Sequence, residues 1–143
     1  MKRLLFTLAL AALAAAPPLR AASDDEVAAR KLALEVAGAF SNDGFKLRDG
    51  NWCGKFEPGK PALIQVNLYA GNQYWFTVGA GETAKKVAIT VFDETGKPVA
   101  TEPFSDTSVA AAGFAPSVSG PYYIKLELAE GEPSAFCLIY SYR

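Results

Sequence analysis

Two cysteines, Cys53 and Cys137, carry the most distinctive side-chain chemistry in this sequence. They lie 84 positions apart, and the chain has no histidine that would complete a zinc site with them. Because the start of the chain predicts export to an oxidising compartment, we predict a structural disulfide rather than a redox or metal pair. In the chain-entropy model, closing a loop of this length stabilises the fold by about 4–5 kcal/mol.

The lack of histidine among the 143 residues also bears on catalysis. It excludes Ser-His and Cys-His catalysis in their usual forms, and no G-x-S-x-G, phosphate loop or EF-hand spacing occurs. Adjacent carboxylates at Asp24/Asp25 and Asp93/Glu94 are typical of a helix cap and of a solvated turn. Two carboxylates from distant strands could serve a glycoside hydrolase, but the sequence singles out no such pair. We therefore predict a non-catalytic protein without cofactor or metal.

The first 22 residues have the three parts of a secretory signal peptide. Lys2 and Arg3 form a basic start, and the apolar run from Leu4 to Ala16 is too short to span a bilayer as a helix. We predict cleavage after Ala22 and a periplasmic or secreted protein that no later segment would hold in a membrane.

The predicted mature chain, residues 23–143, has the size of one domain. Because Lys2, Arg3 and Arg20 belong to the signal, 11 basic residues remain against 15 acidic ones, and the net charge is −4. A mildly acidic chain without a basic run argues against nucleic-acid binding and against attachment to anionic membranes.

A helix is predicted directly after the signal, within the N-terminal segment 23–44. Ser23 and Glu26 have the spacing of a capping box, and the segment from Ser41 to Gly44 ends the helix. An apolar seam recurs at helical spacing and needs a surface to cover. Its members are Ala29, Leu32, Ala33, Val36 and Phe40.

From residue 45 to 143 the apolar period changes to two, which is typical of β-strands. A short hairpin is predicted around Asp49–Gly50, with weaker strands near Val99–Glu102 and Ser108–Phe114. The inward-facing sets of the stronger strands are Ile64, Val66, Leu68; Tyr74, Phe76, Val78; Val87, Ile89, Val91; Tyr122, Ile124, Leu126, Leu128; and Phe136, Leu138, Tyr140, Tyr142. Such short strands, separated by Gly, Pro and Asn turns, predict a mainly β fold: an antiparallel, jelly-roll-like β-sandwich with one N-terminal α-helix.

The same alternation places both cysteines away from the core. Cys137 faces away from Phe136 and Leu138, and Cys53 faces away from Trp52 and Phe56. We therefore predict that the disulfide lies on the outside of one sheet and joins first and last strands that are neighbours.

Short motifs in the β region resemble the bacterial pre-peptidase C-terminal domain, a secreted jelly-roll-like sandwich. They are LYAGNQY at Leu68–Tyr74, VAITVFDETG at Val87–Gly96, SGPYYI at Ser119–Ile124 with Pro121 in place of the usual threonine, and Phe136, Leu138 and Tyr140 of the final strand. The resemblance covers roughly residues 60–142. It implies a non-catalytic accessory module of the kind appended to secreted enzymes, some of which bind calcium or extracellular polymers.

Two features depart from that family's pattern. Ala84, Lys85 and Lys86 stand where such domains often carry acidic residues, which argues against calcium because lysine side chains repel a cation. No enzyme domain is attached, so we expect a free-standing module with an added N-terminal helix.

Trp75 is the principal candidate for a binding residue. In the strand NQYWFTV, it faces outward together with Gln73 and Thr77. An exposed tryptophan flanked by amide and hydroxyl groups could stack a sugar ring or anchor a protein partner. Alternatively, the helix packs its seam over this face and buries Trp75 completely. We favour the second interpretation because it gives both the helix and Trp75 a packing partner.

Two hypotheses for function follow, and the first leads. The protein is either a module that binds another envelope or secreted protein, or a carbohydrate- or cell-wall-binding module. The second requires at least two outward aromatic residues to be coplanar and exposed, with Asn or Gln nearby. The candidate binding residues are Tyr69, Gln73, Trp75, Thr77 and Tyr123.

Overall fold

The structure is a computed structural model that describes residues 23–143, so the signal peptide predicted for residues 1–22 lies outside the described residues. The described chain begins with helix α1 (Asp24–Ala39), which a 3-10 helix (Phe40–Asp43) continues. Strands then follow in the order β1 (Lys46–Leu47), β2 (Trp52–Phe56), β3 (Ala62–Leu68), β4 (Tyr74–Ala80), β5 (Ala84–Phe92), β6 (Glu102–Asp106), β7 (Val109–Phe114), β8 (Gly120–Gly131) and β9 (Ser134–Tyr142). Within this part of the chain, no helix is long and apolar enough to cross a membrane.

The strands form two antiparallel sheets that pack face to face. The six-stranded sheet has the order β1-β9-β4-β7-β6, with β2 also paired to β9, and the three-stranded sheet has the order β3-β8-β5. Alternate residues of both sheets meet in one apolar core, where Phe76, Ile124 and Leu138 are fully buried. The predicted mainly β sandwich with one N-terminal helix is confirmed.

The predicted hairpin around Asp49–Gly50 is wrong, because β1 and β2 do not pair with each other. Both pair with β9, Lys46 opposite Tyr142 and Trp52 opposite Leu138, so they form one interrupted edge strand. A two-residue strand makes too few contacts for a separate hairpin. The long strand β9 offers both segments a continuous ladder of hydrogen-bonding groups instead.

The strand predicted near Val99–Glu102 lies further along the chain, at Glu102–Asp106. The backbone N–H of Val99 donates a hydrogen bond to the Val91 carbonyl at 2.9 Å, which ties Val99 to the three-stranded sheet. Residues 99–102 therefore cross between the sheets, and pairing with β7 begins only at Glu102.

The predicted disulfide between Cys53 and Cys137 is present. The two residues lie directly opposite each other in the β2–β9 register, with Cα atoms 4.1 Å apart. Their side chains leave the sheet on the face opposite the core. The interrupted first strand and the last strand are thus neighbours, as the alternation predicted.

Candidate functional site

Helix α1 covers the outer face of the six-stranded sheet through small side chains. Ala29 and Ala33 are fully buried, whereas Leu32 and Val36 are half-buried. Gly79 of β4 lies directly beneath the helix, because a Cβ built there would meet the Ala29 carbonyl oxygen and the Ala33 amide nitrogen. The larger apolar residues of the predicted seam therefore lie beside the closest contact rather than in it.

The first turn of α1 is fixed to the sheet by Asp25. Its carboxylate accepts a hydrogen bond of 2.5 Å from the backbone N–H of Ala135 in β9. A Cβ at Gly81 would overlap this carboxylate, so the glycine leaves the space that Asp25 occupies. Ser23 caps the same turn, as predicted, by accepting a hydrogen bond of 3.2 Å from the Glu26 amide.

The disulfide lies beneath this end of the helix. Cys137 is fully buried and packs against Ala29, while the Arg30 guanidinium lies 3.9 Å from the Cys53 sulfur and 3.1 Å from the Glu26 carboxylate. Ligand atoms of Glu26, Cys53 and Cys137 come within 4.8 Å of one another. Because the two sulfurs are bonded to each other, neither is a thiolate that could bind a metal.

Trp75 is held between the sheet and the end of the helix. A Cβ at Gly113, its neighbour on β7, would lie 2.9, 3.0 and 3.1 Å from three atoms of the indole six-membered ring. Three nearly equal distances mean that a face of the ring, and not its edge, rests on Gly113. The ring of Phe40 stacks on Trp75, with centroids 4.3 Å apart and planes 7° from parallel.

Both faces of the indole are therefore occupied, by Gly113 below and Phe40 above. Trp75 is nevertheless half-buried, so an edge of the ring remains open. The prediction that the helix seam buries Trp75 completely is therefore wrong: Phe40 covers one face of the indole, but the ring edge stays accessible.

Gln73 and Thr77, the predicted neighbours of Trp75, differ in access. Thr77 is fully buried on the helix-covered face, and its hydroxyl has no hydrogen-bond partner among the described residues. A ligand could not reach it while the helix is in place. Gln73 is exposed, and its side-chain oxygen accepts a hydrogen bond of 2.6 Å from Arg143.

A groove of about 630 Å³, here called the helix-side groove, opens beside Trp75 between the 3-10 helix and edge strand β6. Phe104 projects from β6 toward the helix side and is 43% exposed. The aromatic residues that line the groove are Phe40, Phe45, Tyr74, Trp75, Phe104 and Phe114. Such a surface combines apolar area with the unpaired backbone of a sheet edge.

The charged residues of the helix-side groove differ in whether they already interact with other groups of the protein. Arg143 is held internally, since its guanidinium lies 4.6 Å from the Phe45 ring centroid and donates a hydrogen bond of 2.6 Å to the Asp43 carbonyl. The carboxylates of Asp43 and Glu102 take part in no ion pair among residues 23–143. The groove therefore presents acidic groups rather than a free cation.

Tyr123 lies on the other side of the sandwich, on the outer face of the three-stranded sheet. It is half-buried, with Gln65 opposite it on β3 and Phe92 opposite it on β5. Nearby, the Lys125 ammonium lies 5.7 Å from the Phe92 ring centroid. Tyr123 and Trp75 thus face opposite directions and do not share a site.

Tyr69 lies at one end of the sandwich and is 61% exposed. It lines a pocket of about 490 Å³, here called the tyrosine pocket, together with Arg48, Tyr74, Tyr140 and Tyr142. Burial raises the pKa of the Tyr140 hydroxyl above its ordinary value of 10.0, although the Arg48 guanidinium acts in the opposite direction. Tyr140 is therefore a protonated hydrogen-bond donor at neutral pH.

The carboxylates of Asp93 and Glu94 lie in the turn after β5. One Asp93 oxygen accepts hydrogen bonds from the Thr95 hydroxyl at 2.6 Å and from the backbone amides of Thr95 and Lys97 at 2.9 and 3.1 Å. These bonds, led by that of the Thr95 side chain, lower the pKa of Asp93. Asp93 therefore stabilises the turn in which it lies.

The candidate binding residues predicted from the sequence did not include three residues that line or border the surfaces described above: Phe92, Phe104 and Arg48. Phe92 follows from the alternation of β5, where Val87 and Val91 face the core. Phe104 and Arg48 belong to the two segments whose strand pairing the sequence did not reveal.

Comparison with protein-family models gives no match, and comparison with curated proteins gives none either. The chain is a mainly β sandwich with an N-terminal helix for which no family is identified.

Proposed function

We propose that this protein is a non-catalytic, exported β-sandwich module that binds another envelope or secreted protein through the helix-side groove. The proposal rests on the exposure of Phe104. This large apolar side chain lies on an edge strand and borders an aromatic groove. The resemblance of the strand motifs to pre-peptidase C-terminal domains supports the same class, because those domains are accessory modules.

The groove suits an extended protein segment. All five residues of β6 are exposed, and one side of this strand has no partner strand within the six-stranded sheet. Pro103 provides no backbone N–H, so the edge offers an incomplete ladder, and affinity would depend on side chains as well. Asp43 and Glu102 favour a lysine or arginine next to the apolar anchor of the partner.

Trp75 supports the packing of this site rather than sugar stacking. A sugar ring stacks on a free aromatic face, and Gly113 and Phe40 occupy both faces of the indole. A partner side chain can still contact the open ring edge. The geometry therefore favours a protein ligand over a sugar ligand at Trp75.

Polysaccharide binding is a second candidate, and a different surface favours it. Tyr123 lies between Gln65 and Phe92 on the three-stranded sheet, where α1 does not cover it. This combination of aromatic rings with an amide group on a sheet face is suited to a sugar chain. Neither Tyr69 nor Trp75 takes part in it.

The proposal is tested by placing a photo-crosslinking amino acid at position 104 of the protein in its producing cell. We expect one protein adduct of defined mass, which falls severalfold when Glu102→Lys reverses the charge of the groove. The matched control is the same crosslinker at position 63, because Leu63 is 64% exposed on the three-stranded sheet.

No adduct at position 104 would contradict the protein-binding proposal. Adducts with polysaccharide at position 63, lost in Tyr123→Ala, would support the second candidate instead.

A further inference from the structure

The lining of the tyrosine pocket includes the cation of Arg48. The Arg48 guanidinium lies 5.5 Å from the Tyr140 ring centroid, and the Arg48 backbone donates a hydrogen bond of 3.0 Å to the Tyr140 carbonyl. The ion pairs formed within residues 23–143 do not include Arg48. Its position is fixed by the β9 ladder while its charge remains available.

Tyr140 contributes a buried side chain whose hydroxyl group borders the same pocket. The residue is only 2% exposed, and its ring packs against Trp52 and Phe76 with centroid distances of 5.6 and 5.3 Å. Tyr140 lines the pocket together with Arg48 and Tyr74. A phenol on a ring that the core holds rigidly can donate a hydrogen bond to a ligand acceptor in the pocket.

Tyr74 adds a second oriented hydroxyl. Its oxygen accepts hydrogen bonds of 2.9 Å from the Tyr69 backbone and 3.2 Å from the Asn72 side chain. With its acceptor positions used in this way, the hydroxyl has its own proton left to donate. The pocket thus brings a guanidinium and two phenol donors to one place.

We propose that the tyrosine pocket binds the carboxylate of an acidic sugar residue of the uronic-acid type. Arginine pairs with carboxylates through parallel N–H donors, and O–H donors to an ionised acceptor are stronger than neutral pairs. The exposed rings of Tyr69 and Tyr142 provide apolar faces for the sugar ring. The volume of about 490 Å³ is within the range of small-molecule sites.

Asp49, an exposed carboxylate in the lining, weakens the site. Its charge opposes that of the ligand, so Asp49→Asn should strengthen binding. A neutral sugar has no negative charge to pair with Arg48. We therefore expect the carboxylate of the sugar to determine the preference for uronic acids over neutral sugars.

This inference does not depend on protein binding at the helix-side groove. The two sites share only Tyr74 in their linings. Failure of one proposal therefore leaves the other standing.

The test is an NMR titration of the oxidised, export-processed protein with glucuronic acid and, separately, with glucose. We expect glucuronic acid to shift the signals of the pocket tyrosines and to bind at least about tenfold more tightly than glucose. Arg48→Gln should weaken glucuronic acid binding by about tenfold or more, and Tyr140→Phe by a few-fold. Lys46→Gln, which removes a neighbouring cation outside the pocket lining, is the matched control and should change nothing.

Equal binding of glucose and glucuronic acid, or unchanged affinity in Arg48→Gln, would overturn the proposal. Tighter binding of an N-acetylated dipeptide with a free α-carboxylate would also overturn it, because the site would then recognise a peptide terminus. Folding of each variant is checked by the unperturbed amide spectrum of the core strands.

Discussion

The two outer faces of the sandwich differ in the size of their side chains, and within residues 23–143 only the face of the six-stranded sheet carries a helix. The covered face has Gly79 and Thr77 beneath α1, with the disulfide at its end. The face of the three-stranded sheet has Leu63, Gln65 and Tyr123 in corresponding outward positions. The comparison shows that the helix packs on the face whose outward side chains are small, because small residues let the helix and sheet backbones approach closely.

The largest effect should come from removing the bond under the helix. We expect Cys53→Ala with Cys137→Ala to lower the free energy of unfolding by about 4 kcal/mol, because the unfolded chain regains a long loop. Urea denaturation measures the change, and reduction of the wild-type protein is the control that should reproduce it. A loss below about 1 kcal/mol would show that the bond hardly constrains the unfolded chain.

Gly79→Val should separate the helix from its face. A side chain at this position meets the backbone of α1, so we expect the free energy of unfolding to fall by about 3 kcal/mol. Ala88→Val, on the half-buried outer surface of β5, is the matched control and should stay within about 0.5 kcal/mol. Equal effects of the two substitutions would mean that close approach does not distinguish the faces.

Asp25→Ala should weaken the attachment of the first helical turn. The buried end of β9 would lose a charged acceptor for the Ala135 amide, and we expect a loss of about 1–2 kcal/mol in thermal or urea unfolding. Asp24→Ala is the neighbouring control, because Asp24 is exposed and should cost only a few tenths of a kcal/mol through the helix dipole. A larger loss for Asp24 would contradict the anchoring role of Asp25.

The smallest effect should come from the uncovered face. Tyr123→Ala removes a half-buried side chain that α1 does not cover, so we expect the free energy of unfolding to change by less than about 1 kcal/mol. If this face binds polysaccharide, the same variant should lose co-sedimentation with cell-wall polymer, whereas Tyr123→Phe should retain it. A loss of several kcal/mol would show that Tyr123 belongs to the core.

Much of the fold could be predicted because alternation is a local property. The inward sets of β4 and β8, the cap at Ser23 and the opposition of Cys53 to Cys137 all follow from period and register. The inward set of β9 is correct as far as Tyr140, but the prediction for Tyr142 is wrong, because this residue lies at the end of the strand and is exposed. The pairing of β1 with β9 did not follow, because it depends on a free edge contributed by a distant strand. The sequence also did not reveal that Ala29 and Ala33, rather than Leu32, make the closest contact between helix and sheet, because that contact depends on Gly79 of a distant strand.

The candidate site was less predictable than the fold. Alternation placed Trp75 outward, but it could not show that Gly113 and Phe40 would occupy the two faces of its ring. It also grouped Tyr69, Trp75 and Tyr123, which the fold distributes over three separate surfaces. The sequence of a single strand indicates which side chains point outward. Whether outward side chains of different strands lie on the same surface depends on the order of the strands in the sheets.

Replacement of Trp75 by alanine, in oxidised protein with the crosslinker at position 104, tests most directly whether Trp75 is a packing residue beside the binding groove. We expect the free energy of unfolding to fall by about 2 kcal/mol or more, because the Phe40 stack and the Gly113 contact are lost. The protein adduct should persist in the folded fraction. Unchanged stability together with loss of the adduct would contradict this, and Trp75 itself would then be the residue that binds the partner.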